Sequence, residues 1–222
     1  MDPDGVFVTG TGTEVGKTVV AAVIARTATI RGRSVAVFKP AVSGLDELDG
    51  DEADHELLRR AAGSSQADDE IAPYRYGPPV SPHLGAELAG EPIDPERLRT
   101  TARAAGGAAD FLVAEGVGGF LVPLTADYLV RDLARDLGLP VVVAASPGLG
   151  TINHSLLTSA AVRAVGLEVA AVVLTPWPDE PDEVESSNRS TIAAAASVPV
   201  SVLPRIDLAA PAGWPALEVL PA

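Results

Sequence analysis

Six short apolar runs punctuate the chain: GVFVTG (5–10), SVAVF (34–38), DFLVAE (110–115), PVVVAAS (140–146), VAAVVLT (169–175) and VPVSVLP (198–204). Each is rich in valine or other strand-forming residues and is bounded by glycine, proline or polar residues, so each predicts a buried strand. The stretches between them predict helices over 16–31, around 52–62, after Pro95, over 127–137, near 153–165 and near 183–196. The first of these stops at Gly32, a residue type that ends helices well. Residues 64–93 hold no sustained period and carry PYRYGPPVSPH, which predicts an ordered insertion or cover loop. Strands apolar on both faces, alternating with helices, imply an α/β fold: a mostly parallel sheet covered by helices on both sides, in a single domain over 1–222. Ligands of such sheets bind beyond the C-terminal strand ends. Those ends read Gly10-Thr11, Lys39-Pro40, Glu115-Gly116, Ser146-Pro147, Thr175-Pro176 and Pro204-Arg205.

Composition narrows the partners. The chain of 222 residues is 47% hydrophobic, enough for a sizeable core, yet no apolar run reaches the ~18–20 residues that cross a membrane. Met1-Asp2-Pro3-Asp4 leads straight into the first strand without a charged-then-apolar signal, so the expectation is a cytoplasmic protein with no membrane partner. There is no cysteine, which excludes disulfides, thiolate metal sites and cysteine-held clusters. Acids outnumber bases 30 to 16, a net charge of -14, and no basic face for nucleic acid is expected. Among the 16 basic residues only Lys17 and Lys39 are lysines. An arginine-rich chain that keeps two lysines, both at predicted strand ends or turns, points to sites where a compact ammonium is needed and a planar fork will not serve.

The first of these lysines lies in FVTGTGTEVGKT (7–18), close to the phosphate-loop pattern of glycine, four residues, then Gly-Lys-Ser/Thr. Counting back from Lys17, Thr11 falls where the first glycine belongs, flanked by Gly10 and Gly12. The glycines let backbone N–H groups turn toward phosphate oxygens, and the following helix adds its positive N-terminus. Lys17 would reach the outer phosphates and the Thr18 hydroxyl would ligate Mg²⁺. The fold expected is therefore P-loop NTPase-like.

Further chemistry gathers at the same edge. Glu115, a carboxylate ending an apolar strand, is a candidate Mg²⁺ ligand because buried charge demands a partner. The run DGDEADHE (49–56) offers a second acid, with Asp49, Asp51, Glu52 and Asp54 equally eligible. Lys39 could stabilise an anionic acceptor or a transferring phosphoryl group, with the Ser43 hydroxyl in the same turn. The loop GLGTINHS (148–155) opens a helix whose free N–H groups suit a carboxylate, and Asn153 and His154 add donors. His55 and His83 have no metal-ligand spacing, and no Gly-x-Ser-x-Gly or nucleophilic triad is visible.

Together, FVTGTGTEVGKT, VFKPAVSG, VAEGVGGFLVPL and GLGTINHSLLT, in that order and spacing, resemble the dethiobiotin synthetase family of the biotin pathway, from residue 5 to about 175. That family's loop has five residues between its first glycine and Gly-Lys-Thr, so Gly10 is the first glycine. The resemblance implies ring closure of 7,8-diaminopelargonate with CO2 and Mg-ATP, through a carbamate and a carbamic–phosphoric anhydride. It implies catalytic roles for Lys17 and Lys39, and a substrate site of Thr13, Lys39, Ser43, Gly118 and Asn153. Gly116 to Gly119 would line that site. It selects Asp54 among the acids, so Thr18, Asp54 and Glu115 would hold Mg²⁺. The nucleotide would lie along Thr13, Glu14, Val15, Gly16, Lys17, Thr18, Val19, Asp54, Glu115, Gly116, Val117, Gly118, Thr175, Pro176, Pro204, Arg205 and Ile206. A homodimer is implied, with Asn153 reaching the substrate held by the other chain. Two positions depart from the family: Val117 replaces alanine, and Thr175-Pro176-Trp177 replaces the asparagine–aspartate pair that reads adenine, so other nucleoside triphosphates are expected substrates. The alternative is a nucleotide switch of the partition-ATPase type, but Thr11, Gly12 and Thr13 stand where that family carries its extra lysine. An iron-protein-like carrier and a cobyrinate-type amide synthetase both need cysteines that are absent.

Overall fold

The computed structural model describes residues 4–219; Met1 to Pro3, read above as a lead-in without a signal, lie outside the described residues. The elements in chain order are β1 (Gly5–Gly10), α1 (Lys17–Ile30), β2 (Val35–Phe38), β3 (Ala41–Val42), α2 (Asp54–Ala62), α3 (Asp68–Ile71), β4 (Tyr74–Arg75), α4 (Pro82–Ala89), α5 (Pro95–Gly107), β5 (Phe111–Glu115), α6 (Val130–Leu137), β6 (Val141–Ala145), α7 (Thr151–Ala164), β7 (Val169–Trp177), α8 (Glu183–Ala196) and β8 (Val200–Pro204). The main sheet has six strands in the order β2-β5-β1-β6-β7-β8, every pair parallel.

The pleat explains why the strand sequences read as continuous apolar runs. Successive side chains point to opposite faces, and both faces are covered. Phe7, Phe38, Leu112, Val143 and Leu174 pack with α5, α6, α7 and α8. Val6, Val8, Val37, Val113, Val142 and Val173 pack with α1, α2 and the Trp214–Leu217 segment. The expected strands and helices all form, with ends shifted by a few residues. α6 begins at Val130, after its N-cap Leu129, because Asp132 reaches back to the Leu129 N–H at 2.9 Å and closes the helix start there. The insertion at 64–93 is less irregular than its sequence suggests. It contains α3, α4 and a two-residue strand, β4, paired with β3. Short elements of two to eight residues leave too little sequence to show a period.

The order places β1 between β5 and β6, so the chain crosses over β1 between those two strands. The turn after β1 thus sits where connections diverge to opposite sides, the crevice in which open α/β sheets bind ligands. β2 is a sheet edge, and Gln66 closes part of it: its Oε1 accepts the Val37 N–H at 2.9 Å and its Nε2 donates to the Val37 carbonyl at 3.1 Å.

Candidate active site

Gly10 ends β1 and Lys17 starts α1, so residues 11–16 form the whole turn between them. The two ends of the turn are tightly packed, whereas Thr13 and Glu14 at its middle are exposed. The Thr11 N–H donates to the Ala144 carbonyl of β6 at 3.0 Å. Gly16 has φ +81°, and a Cβ there would lie 2.7 Å from Thr175 Cγ2, so both backbone and space demand glycine. A Cβ on Gly10 would crowd Val15 at 2.7 Å and Lys17 at 2.9 Å. Lys17 folds over this turn, its Nζ donating to the Gly12 carbonyl at 2.8 Å. Burial lowers the pKa of Lys17; Glu115 opposes that effect and Lys39 reinforces it.

Beside the turn, the sheet register sets two charges next to each other. Val37 and Phe38 pair with Val113 and Ala114, so Lys39 leaves β2 alongside Glu115 at the end of β5. Lys39 Nζ donates to Glu115 Oε1 at 2.8 Å, to Asp54 Oδ2 at 2.5 Å and to Thr18 Oγ1 at 3.4 Å. Thr18 in turn donates to Glu115 Oε1 at 2.9 Å. Lys39 is 3% exposed and Glu115 fully buried, whereas the Asp54 side chain is half-exposed. Burial works against the Lys39 charge, but the Glu115 and Asp54 carboxylates outweigh it and raise its pKa. Burial likewise works against the Asp54 charge, and Lys39 outweighs it and holds the carboxyl below its ordinary value. For Glu115 burial wins, and its pKa is raised despite Lys39.

These groups fit Mg²⁺. Thr18, Asp54 and Glu115 present hard oxygens, and Glu115 Oε2 is buried with no hydrogen-bond partner. An orphaned carboxylate oxygen next to a phosphate-type turn suits a small hard cation that keeps waters and phosphate oxygens as its other ligands. Among the described residues there is no group of three or more His, Cys, Asp or Glu that would make an all-protein cage. Of the four eligible acids, Asp54 joins the cluster, whereas Glu52 pairs with Arg60 at 2.6 Å.

The other candidates form the surroundings. Gly118 has φ +62°, and a Cβ on Gly119 would sit 3.8 Å from the Gly10 carbonyl, so the turn after β5 lies against the turn after β1. Gly116 is buried, and Val117 packs on the core beside it. Val15, Val19 and Ile206 pack on the opposite core, which leaves mainly their backbone for a ligand. Thr13 and Glu14 are exposed. Thr175 is buried against Gly16, with Pro176 exposed and Trp177 half-buried beyond it. Pro204 ends β8 and Arg205 is exposed. Neither Ser43, half-buried after β3, nor Asn153 joins the cluster around Lys39. Asn153 is the exposed third residue of α7, whose N-cap is Gly150, so it does not cap that helix. Sequence reasoning missed Gln66, which steadies the strand leading to Lys39; a lone glutamine in a polar turn carries no signal of that role.

The chain is similar to known proteins in sequence and in fold. The model of a family described as an AAA domain matches residues 4–212. The ATP-dependent dethiobiotin synthetase BioD of Anaeromyxobacter dehalogenans (strain 2CP-1) is 42% identical over 201 residues, 90% of this chain and 89% of that protein. Its namesake in Bacillus subtilis (strain 168) is 35% identical over 203 residues, 91% of this chain and 87% of that one. Both matches continue beyond residue 175, where the sequence motifs fade. The cell division ATPase MinD of Pyrococcus furiosus superposes with a TM-score of 0.55 at 19% identity, covering 92% of this chain and 84% of that one. That likeness speaks to the fold alone.

Proposed function

The chain belongs to the family of ATP-dependent dethiobiotin synthetases, ATP-dependent ligases of biotin biosynthesis, and from that premise we propose that it closes the urea ring of dethiobiotin on 7,8-diaminopelargonate. The observation that carries the reading is the buried Lys39 ammonium, hydrogen-bonded to Glu115, Asp54 and Thr18 directly beside the phosphate turn. A reaction that brings a carbamate anion against a triphosphate needs concentrated positive charge in a site shielded from water.

One substrate amine takes up CO2, loses a proton and becomes a carbamate. A carbamate oxygen attacks the γ-phosphorus of ATP and ADP leaves, giving a carbamic–phosphoric anhydride. The second amine then attacks the carbonyl carbon, expels phosphate and closes the ring. Lys39 is suited to hold the carbamate oxygen and Lys17 the phosphoryl oxygens; Thr13, Ser43 and Gly118 complete the substrate site. Thr18, Asp54 and Glu115 would hold Mg²⁺, which when bound neutralises charge on the triphosphate. The base would meet Pro176, Pro204 and Arg205. Because the Thr175 side chain is turned to Gly16, contacts to the base would be made by backbone and packing, and nucleoside triphosphates other than ATP are accepted.

The working unit is a homodimer in which Asn153 of one chain receives the carboxylate tail of the substrate held by the other. Its exposed position near the start of α7 supports that role. Among the described residues no helix is long and apolar enough to cross a membrane. The decisive assay mixes the protein with 7,8-diaminopelargonate, bicarbonate and Mg-ATP. Phosphate release that requires the diamine, with dethiobiotin as product, is expected. Nucleotide hydrolysis indifferent to the diamine would replace this reading with a nucleotide switch.

A further inference from the structure

We infer that Asn188, in α8 and remote in sequence from every motif of the site, is a positioning residue for the loop that receives the substrate tail; the inference rests on the function proposed above. Residues 181–190 are largely exposed, yet Asn188 among them is only 5% exposed. Its Nδ2 donates to the Pro147 carbonyl at 2.9 Å and to the Gly148 carbonyl at 3.1 Å. Among the described residues these are the only side-chain hydrogen bonds made to residues 146–150, a segment otherwise exposed or half-buried. The Gly148 carbonyl also accepts the Thr151 N–H at 3.2 Å, and Gly150, with φ +92°, turns the chain into α7.

One side-chain amide therefore fixes two successive carbonyls immediately before the helix start that carries Asn153. Fixing those peptide planes fixes the direction in which the first-turn N–H groups and Asn153 point. A binding group displaced by a fraction of an ångström loses much of its value, so residues that lock a site's frame act without touching the ligand. The simpler role, tying α8 to the end of β6, would leave substrate and nucleotide binding affected alike.

Asn188→Asp separates these roles. It keeps the shape but places a carboxylate that cannot donate against two carbonyl oxygens. In steady-state assays of the full-length protein with Mg-ATP, KM for the diamine should rise by about tenfold or more, with kcat within about threefold and nucleotide affinity within about twofold of wild type. Asn188→Ser, which retains one donor, should show a smaller rise in the same direction, and it is read by the same criteria if the aspartate variant does not fold. An unchanged diamine KM in a folded variant overturns the inference. So do equal losses of diamine and nucleotide affinity that follow a falling Tm. Wild-type protein assayed in parallel keeps the two ideas apart: diamine-dependent turnover with an unmoved KM in the variant sinks only the role of Asn188, whereas no such turnover in wild type sinks the functional reading and this inference with it.

Discussion

Lys39 shows how much one side chain can decide at this site. Its ammonium is a point donor shared among three oxygens in a buried space, a geometry that a planar guanidinium cannot reproduce. Lys39→Arg should lower kcat by about a hundredfold or more although the charge is kept, the scale of losing one oriented donor to a developing anion. Near-normal turnover in that variant would remove Lys39 from the reaction. Lys39→Met tests stability instead. It strands the buried Glu115 carboxylate, and breaking a buried pair from one side costs about 3–5 kcal/mol. Burial already raises the Glu115 pKa, and loss of Lys39 raises it further. A group with a raised folded pKa stabilises below its unfolded value, and that stability is lost as pH rises through the folded value. The deficit of Lys39→Met in urea unfolding should therefore be largest near about pH 8 and shrink toward about pH 5. A deficit independent of pH would show that Glu115 is not the stranded group. Both lysines stood out in the sequence because the rest of the basic residues are arginine. The contact of Lys39 with Glu115 and Asp54 did not, since those partners lie 76 and 15 residues away along the chain.

At the level of elements, β2 is the buried sheet edge that leads to Lys39, and its outward backbone is held by a side chain in place of a strand. Gln66→Ala should cost about 1–3 kcal/mol, the penalty for leaving backbone groups unpaired, and should speed hydrogen exchange at the Val37 amide. Unaltered exchange there would mean that water replaces the glutamine without loss. The end of β7 supports a second expectation. Thr175 is buried with its methyl group against Gly16, and the segment Thr175-Pro176-Trp177 has no asparagine or aspartate to read the base. Affinities for ATP, CTP, GTP and UTP should agree within about tenfold, the scale of one modest hydrogen bond. A preference for ATP of several orders of magnitude, measured by calorimetry, would contradict it. Strands and longer helices were legible because apolar runs and helical spacing extend over enough residues to show a period. α3, α4 and the β3–β4 pair were not, because their formation depends on packing beneath residues 64–93.

For the whole molecule, the central expectation concerns assembly. If Asn153 acts across a dimer, mixing Lys39→Ala chains with Asn153→Ala chains gives heterodimers with one doubly damaged site and one intact site. Random exchange should then restore about a quarter of wild-type turnover from two inactive parents. If Asn153 acts within its own chain, every site keeps one lesion and nothing returns. The sequence alone was sufficient for the α/β class, the phosphate turn, the lysine pair and the family, because each is written in contiguous residues: a run of valines, a Gly-Lys-Thr, a motif of a dozen positions. It could not order the strands, since parallel neighbours are joined through long crossovers and their pairing leaves no local mark. It therefore left open which side chains touch. Only the tertiary structure decided that Glu115 stands beside Lys39, that Thr175 turns toward Gly16 and that Asn188 reaches the Pro147–Gly148 carbonyls. Those are contacts between distant segments, set by sheet register and helix packing.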